Sequence, residues 1–164
     1  MQKTCVRTIL AGISVVGVAL APTAALTQEP AAAVEKRQQL MKEMSRSFGP
    51  IIAVLKGESD DLDAAGTAAM TMSESMREAM TLFIEGTTAG EVTGSRAKSE
   101  IWSNSEEFKA AGDELINASA ELAEAAKFGD VDQFKVAFQP LAAACGGCHE
   151  GPSRDGGKFR TPAQ

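Results

Sequence analysis

Apolar residues recur every seven positions in three separate segments of the chain, and a fourth segment repeats them at steps of three and four. A period near seven keeps one stripe of each helix facing its neighbours in a bundle. The composition is also helical, since Ala, Glu, Met, Lys and Leu are abundant and Tyr is absent. The sequence therefore predicts an all-α protein, an antiparallel up-down-up-down four-helix bundle. The stripes are Val34, Met41, Phe48 and Leu55; Leu62, Ala69, Met76 and Phe83; Ile101, Phe108, Leu115 and Leu122; and Val131, Phe134, Phe138, Leu141, Cys145 and Cys148.

Glycine and proline indicate where these helices bend and end. The first helix is predicted over about residues 31–55, with a kink or local break at Pro50, whose nitrogen cannot donate a hydrogen bond. Gly57, Gly86 and Gly129 are predicted to end the first three helices, because glycine tolerates the left-handed conformation that is common after a helix.

Polar residues indicate the helix starts and one long connection. Ser59 or Asp60 is predicted to cap the second helix, and Ser103 or Asn104 the third. Residues 86–99 are a long connection between two helices, and such loops often carry function.

Cys145, Cys148 and His149 form the pattern C-x-x-C-H, the attachment signature of a c-type haem. Two thiols form thioethers with one porphyrin, and the imidazole that follows is held over the iron as its axial ligand. On a helix the three residues share one face, and both cysteines continue the apolar stripe of the fourth segment. The sequence therefore predicts one covalently attached haem c enclosed by the bundle. His149 is the only histidine, which makes it the candidate proximal ligand.

A zinc site or a redox dithiol is the alternative explanation for a C-x-x-C pair. Zinc requires further Cys or His ligands, and the one other cysteine, Cys5, lies in a segment that we predict is removed. A thioredoxin-like dithiol is expected in a βαβ pattern, which is not apparent in this sequence. A dithiol or zinc-binding module without haem stays open as an alternative.

The N-terminal residues have the order of a secretory signal peptide: Lys3 and Arg7, then an apolar run over residues 9–20, then small residues. The run is shorter than a membrane-spanning helix requires. We therefore predict cleavage after Ala25, or later near Gln28, a periplasmic location, and no membrane span in the mature chain. The predicted domains are a signal peptide at 1–25, a four-helix haem-binding domain at 26–150 and a flexible C-terminal tail at 151–164.

The charge of the chain limits its partners. The chain has 16 basic and 22 acidic residues, a formal charge of −6. Loss of Lys3 and Arg7 leaves 16 − 2 = 14 basic residues, so the formal charge falls to −8. An acidic surface argues against nucleic acid and anionic membrane as partners. It is compatible with a redox partner protein that presents a basic patch.

The topology limits the candidates for the sixth iron ligand. In an up-down-up-down bundle, the C-terminal end of the fourth helix lies near the N-terminal half of the first. Met41 falls in that half, Met44 lies one turn on, and Met76 is on the second helix. A thioether is a soft iron ligand that raises the reduction potential. The residues alone leave these three methionines and an open site as alternatives.

Four sequence features occur together: the stretch Arg37-Gln38-Gln39-Leu40-Met41, the triplet Glu100-Ile101-Trp102, Phe108, and the motif from Cys145 to His149. Together they resemble the cytochrome c-prime family, in its low-spin, c-556-type branch. The resemblance covers about residues 31–150.

The resemblance implies roles for the first helix. In the family, the residue four positions after the arginine faces the distal side of the iron. It is apolar and does not bind iron in high-spin members, whereas it is a methionine that binds iron in c-556-type members. Met41 occupies this position. Arg37 and Gln38 would contact the haem and its propionates. Members often dimerise through their first two helices, so a homodimer is expected.

The chain departs from the family after the axial histidine. The family usually has an aromatic–arginine pair there, and the arginine packs near the proximal imidazole. Here either Arg154 takes that role without its aromatic, or Phe159 and Arg160 do so after an insertion.

These features predict a periplasmic monohaem electron carrier, not an enzyme, with His149 and Met41 as axial ligands. The alternative is a high-spin protein of the same family that binds small gases such as nitric oxide. It requires that Met41 packs in the core without binding iron.

Overall fold

The computed structural model describes residues 29–149 and 156–162. Within these residues the helices are α1 Pro30–Lys56, α2 Leu62–Met80, α3 Glu100–Ser103, α4 Ser105–Ala126 and α5 Val131–Cys148. Because α3 is a single turn, the four long helices form the predicted bundle. The predicted signal peptide, residues 1–25, lies outside the described residues.

Contacts between the helices define an antiparallel arrangement. Leu82, just after α2, accepts a hydrogen bond from Arg37 near the start of α1. The Ser73 hydroxyl in α2 donates to the carbonyl of Ile116 in α4 at 2.9 Å. The start of α4 lies against the end of α5, where a Cβ added to Gly147 would meet Ala111. The end of α5, the starts of α1 and α4, and the end of α2 therefore lie at one end of the bundle.

The buried stripe of α1 differs from the predicted one. Met41, Phe48 and Leu55 are partly buried and pack at the edge of the main core. The column of Leu40, Met44, Ile51 and Val54 faces its centre. Both columns lie on one apolar face, and counting in sevens does not decide which of them points inward. The predicted stripe of α2 is buried from Leu62 to Met76.

Helix α1 continues through Pro50, where we expected a kink or break. Gly49 and Pro50 are both exposed. The carbonyl that loses its hydrogen bond to Pro50 therefore lies toward water, which can satisfy it. The predicted end at Gly57 is confirmed, since Gly57 caps α1 with φ of 72°.

Other predicted boundaries move by a few residues. Helix α2 ends at Met80, before Gly86, and Asp61 caps its start by accepting a hydrogen bond from the Ala64 amide at 2.8 Å. The third long helix is preceded by the single turn α3, and Asn104 at the junction makes no side-chain cap.

None of the helices in the described ranges, 29–149 and 156–162, is long and apolar enough to cross a membrane.

Candidate haem site

The last turn of α5 brings the predicted motif together. Cys145 is buried and Cys148 is partly buried, and both are free thiols. His149 follows as the C-cap, with φ of −118° and ψ of 130°, and its amide donates to the carbonyl of Cys145 at 3.1 Å. The helix therefore presents two thiols one turn apart, with an imidazole directly after them.

The space around the motif fits a covalent haem. A Cβ added to Gly146 would meet nothing within 4 Å, and one added to Gly147 would touch only Ala111 Cβ at 3.7 Å. Two thiols and one imidazole are the donor set of a c-type haem. Among residues 29–149 and 156–162 there is no group of three or more His, Cys, Asp or Glu that could hold a metal ion. The donor set of the motif therefore matches a covalently attached haem.

An aromatic cluster surrounds Cys148. The rings of Phe83 and Phe108 pack edge to face at 4.7 Å between centroids, and Phe108 packs on Phe159 at 5.1 Å. Cys148 and Trp102 pack against this cluster. Burial raises the pKa of the Cys148 thiol to about 11, and the charges of Cys145 and Glu114 add to the effect.

Arg160 is the arginine that reaches His149. Its Nη1 lies 3.2 Å from Nδ1 of His149. The guanidinium of Arg160 therefore lies directly beside the Nδ1 edge of the His149 ring. Phe159 and Arg160 thus take the role that the sequence left open, while Arg154 lies outside the described residues.

Residues 156–162 differ from the predicted flexible tail, because they are packed against the rest of the protein. Phe159 is buried in the aromatic cluster, and Arg160 forms an antiparallel β-bridge with Ala97. The tail is polar and rich in glycine, which suggested a loose segment. A single buried aromatic and backbone pairing to the loop after α2 hold it in place instead.

Arg37 and Gln38 bind the same loop in this structure. Arg37 is buried, and its two Nη atoms donate to Thr87 Oγ1, the Thr87 carbonyl, Ser95 Oγ and the Leu82 carbonyl. Gln38 Nε2 donates to the carbonyl of Gly94 at 2.8 Å. Both side chains therefore hold the loop, and contact with the haem or its propionates stays a prediction.

The charge of Arg37 is retained despite burial. Desolvation lowers its pKa to about 10, so it is still protonated at neutral pH. The guanidinium also lies over the ring of Phe83, 4.7 Å from its centroid. Cation–π contact and hydrogen bonds together offset the cost of burying this charge.

The candidate methionines differ in exposure. Met41, one turn after Arg37, is partly buried at the edge of the main core. Met44 and Met76 are almost fully buried within it. Met80 is also partly buried and packs against both the main core and the aromatic cluster of Cys148.

Sequence reasoning missed three residues that hold the tail. Arg96 and Lys98 donate to tail carbonyls, and Gly157 lies directly against the end of α5. The only local signal was the Phe159-Arg160 pair itself, because the partner loop is far away in the chain.

Comparison with known proteins identifies relatives with this architecture. A family profile described as cytochrome C' matches residues 32–151. Cytochrome c' of Rubrivivax gelatinosus is 34% identical over 124 residues, which are 75% of this chain and 95% of that protein. Its crystal structure has a TM-score of 0.68 and 33% identity, covering 81% of this chain and 98% of that one.

Two further relatives differ in what their names say. Cytochrome c-556 of Agrobacterium tumefaciens strain B2A is 36% identical over 118 residues, covering 71% of this chain and 93% of its own. A variant of cytochrome c prime from Alcaligenes xylosoxidans, solved as a nitric oxide complex, has a TM-score of 0.67 and 27% identity. The alignment covers 81% of this chain and 97% of that one.

A four-helix bundle with C-x-x-C-H at the end of its last helix defines a class, the helical c-type haem proteins. The chain belongs to the cytochrome c' family. Proteins of this family carry one covalent haem c, are not enzymes and are typically periplasmic. The relatives carry both names, cytochrome c' and cytochrome c-556, so membership does not decide the branch.

Proposed function

We propose that this protein is an exported monohaem electron carrier. Cys145 and Cys148 attach the haem, and His149 and Met41 are its axial ligands. The bound haem supplies a one-electron couple between ferrous and ferric iron. The observation that carries the proposal is a half-buried thioether, Met41, at the end of the bundle where the motif lies.

The contacts of α1 support this position for Met41. Arg37 lies over Phe83, and Phe83 belongs to the aromatic cluster against which Cys148 packs. Met41 is one helical turn from Arg37 and so projects from a nearby part of the same face. This supports a thioether near the haem-attachment motif, one helical turn from the contact between Arg37 and Phe83.

Burial distinguishes Met41 from Met44 and Met76. Met44 and Met76 pack among core side chains, and moving either sulfur onto a ligand would leave a gap in a close-packed interior. Met41 lies at the edge of the core, where its long, flexible side chain can turn without unpacking the bundle.

Ligation from both sides suits electron transfer. When the same two groups hold the iron in both oxidation states, the change of charge needs little rearrangement of the protein. The thioether favours the reduced state and raises the potential. The acidic surface suits a redox partner protein with a basic patch.

We also propose export through residues 1–25 to the periplasm, and a homodimer through α1 and α2.

The visible spectrum of the purified holoprotein tests the ligation. We expect a low-spin ferric spectrum with the weak near-infrared band that marks a thioether on ferric haem, and no rapid carbon monoxide binding by the ferrous form. A high-spin spectrum with free carbon monoxide binding would exclude Met41 as the ligand.

Binding of small gases such as nitric oxide is the second candidate function. The specific observation is the nitric oxide complex among the solved relatives, and the comparisons alone favour this function over electron transfer. It requires that the partly buried Met41 leaves the sixth position open. The same spectrum therefore separates the two functions.

A further inference from the structure

Two segments far apart in the chain lie side by side next to the proximal histidine. They are residues 95–98 of the loop after α2 and residues 157–161 of the tail. The Lys98 amide donates to the Phe159 carbonyl at 3.1 Å, and the Thr161 amide donates to the Arg96 carbonyl at 2.9 Å. Between these two bonds lies the antiparallel bridge from Ala97 to Arg160. We call this pair of segments the clasp.

Side chains reinforce the pairing at both ends of the clasp. Arg96 donates from Nε and Nη2 to the Thr161 carbonyl, at 2.9 and 2.6 Å. Lys98 Nζ donates to the Gly157 carbonyl, and Phe159 is only 3% exposed within the aromatic cluster. These contacts fix both the position of the tail and the direction in which Arg160 projects.

Gly157 allows the tail to pass directly over the end of α5. A Cβ at this position would lie 2.2 Å from the Cys148 carbonyl oxygen and 2.7 Å from His149 Cα. Its φ of +156° is also a conformation that residues other than glycine rarely adopt. No other residue type fits this approach without moving the tail away from the histidine.

The loop side of the clasp is anchored on α1 through Arg37. Ser95, the first residue of its loop segment, accepts a hydrogen bond from Arg37 at 2.8 Å and donates to the Thr87 carbonyl at 2.7 Å. A continuous set of contacts therefore runs from α1, one turn before Met41, through the clasp to Arg160 and His149.

We propose that the clasp positions the axial histidine, with Gly157, Arg96 and Lys98 as positioning residues that hold Arg160 on Nδ1 of His149. The family resemblance implies only that an arginine lies near this imidazole. In this chain the arginine comes after an insertion, and the clasp holds it beside the histidine. The proposal rests on His149 being the proximal ligand, and it is independent of Met41. A guanidinium fixed beside the Nδ1 edge limits the orientations of the ring, and its positive charge influences Nε2 as a ligand.

The test is Gly157→Ala in the full-length holoprotein, which leaves Arg160 in the chain. Gly90→Ala is the control, because Gly90 lies in the loop after α2 that carries the other side of the clasp, and an added Cβ there meets nothing within 4 Å. Hydrogen exchange of the amides of residues 157–161 reports whether the tail is docked. We expect exchange to rise by about tenfold or more in Gly157→Ala and to stay at the wild-type rate in Gly90→Ala.

The iron–histidine stretching band of the ferrous protein reports on the imidazole. It is measured in a Met41→Leu background, so that the result does not depend on ligation by Met41. We expect Gly157→Ala and Arg160→Gln to shift the band in the same direction, with no further shift in the double variant. A freed tail with an unshifted band would overturn the proposal, as would a tail that exchanges freely in the wild type. If Met41 does not bind iron, only the proposed electron carrier fails, and this test stands.

Discussion

Arg37 of α1 and Thr87 of the loop after α2 are joined by two hydrogen bonds, at 2.9 and 2.8 Å, although 50 residues separate them. The first goes to the Thr87 hydroxyl and the second to its carbonyl. Thr87 is fully buried, and its hydroxyl also donates to the Ile84 carbonyl at 2.7 Å. Where the loop crosses α1, hydrogen bonds from a protonated guanidinium thus hold the two segments together, in place of apolar packing.

Thr87→Val should destabilise the protein by about 1–3 kcal/mol, because it leaves a buried guanidinium donor without its acceptor. Valine keeps the volume and shape of threonine, so the loss reports on the hydrogen bonds. Thr93→Val is the matched control, since Thr93 is exposed in the same loop, and we expect a change within about 0.5 kcal/mol. Chemical denaturation measures both, and equal stability of the two variants would contradict the role of Arg37 as an anchor.

Helix α2 offers a prediction on capping. The Asp61 carboxylate accepts a hydrogen bond from the Ala64 amide, whereas our sequence prediction named Ser59 or Asp60. Asp61→Ala should cost about 1 kcal/mol of stability, since the amide loses its partner at the helix start. Asp60→Ala should change stability by less than about 0.5 kcal/mol. Thermal or chemical unfolding measures both variants. A larger loss of stability in Asp60→Ala than in Asp61→Ala would support Asp60 as the cap, as the sequence predicted.

The order of the helices and the place of the motif could be predicted because both signals are local. A stripe of apolar residues and the spacing from Cys145 to His149 are read within a few turns of one helix. The inward rotation of α1 could not be predicted. Leu40 and Met41 are neighbours on one apolar face, and only packing against the other helices decides that Leu40 faces the centre.

The role of Arg37 and the docking of the tail depend on contacts between distant parts of the chain. Arg37 meets partners 45 to 58 residues away, and Arg96 meets Thr161 across 65 residues. No periodic pattern encodes such pairs. The tail looked loose because its composition is that of a linker, and one buried Phe159 with one Gly157 is too small a signal to outweigh composition.

Helices α2 and α4 approach closely at two glycines, and the neighbours differ in rigidity. A Cβ on Gly66 would lie 2.8 Å from Ala126 Cβ and 3.4 Å from the Ala123 carbonyl oxygen. A Cβ on Gly112 would lie 2.6 Å from Met80 Sδ, the far end of a flexible side chain. A Cβ on Gly66 would push the two helices apart, because its neighbours in α4 are rigid. A Cβ on Gly112 would only require the Met80 side chain to rotate away.

Gly66→Ala should therefore destabilise the bundle by about 1–3 kcal/mol. Gly112→Ala should cost less than about 1 kcal/mol, since alanine also regains helix propensity. Adding Ala126→Gly to Gly66→Ala should recover part of the loss by removing the facing methyl group. Unfolding curves of the three variants measure this, and a larger loss in Gly112→Ala would mean that Met80 is held as firmly as the α4 backbone.

The exposure of the methionines leads to a prediction on the sixth iron ligand. Met41→Leu keeps the apolar volume at the edge of the core but removes the sulfur, so the folded holoprotein should lose the thioether band. Its ferrous form should then bind carbon monoxide. Met44→Leu and Met76→Leu are the controls, because both side chains are buried in the main core and should leave the spectrum unchanged.

Met80→Leu completes this set, because Met80 packs against the aromatic cluster on the Cys148 side of the motif. We expect it to retain the thioether band, since the proposed thioether ligand is Met41. Loss of the band in Met80→Leu or Met44→Leu, with the band kept in Met41→Leu, would transfer the ligand role to that methionine. A band absent already in the wild type, with carbon monoxide binding unchanged by Met41→Leu, would instead favour the gas-binding function.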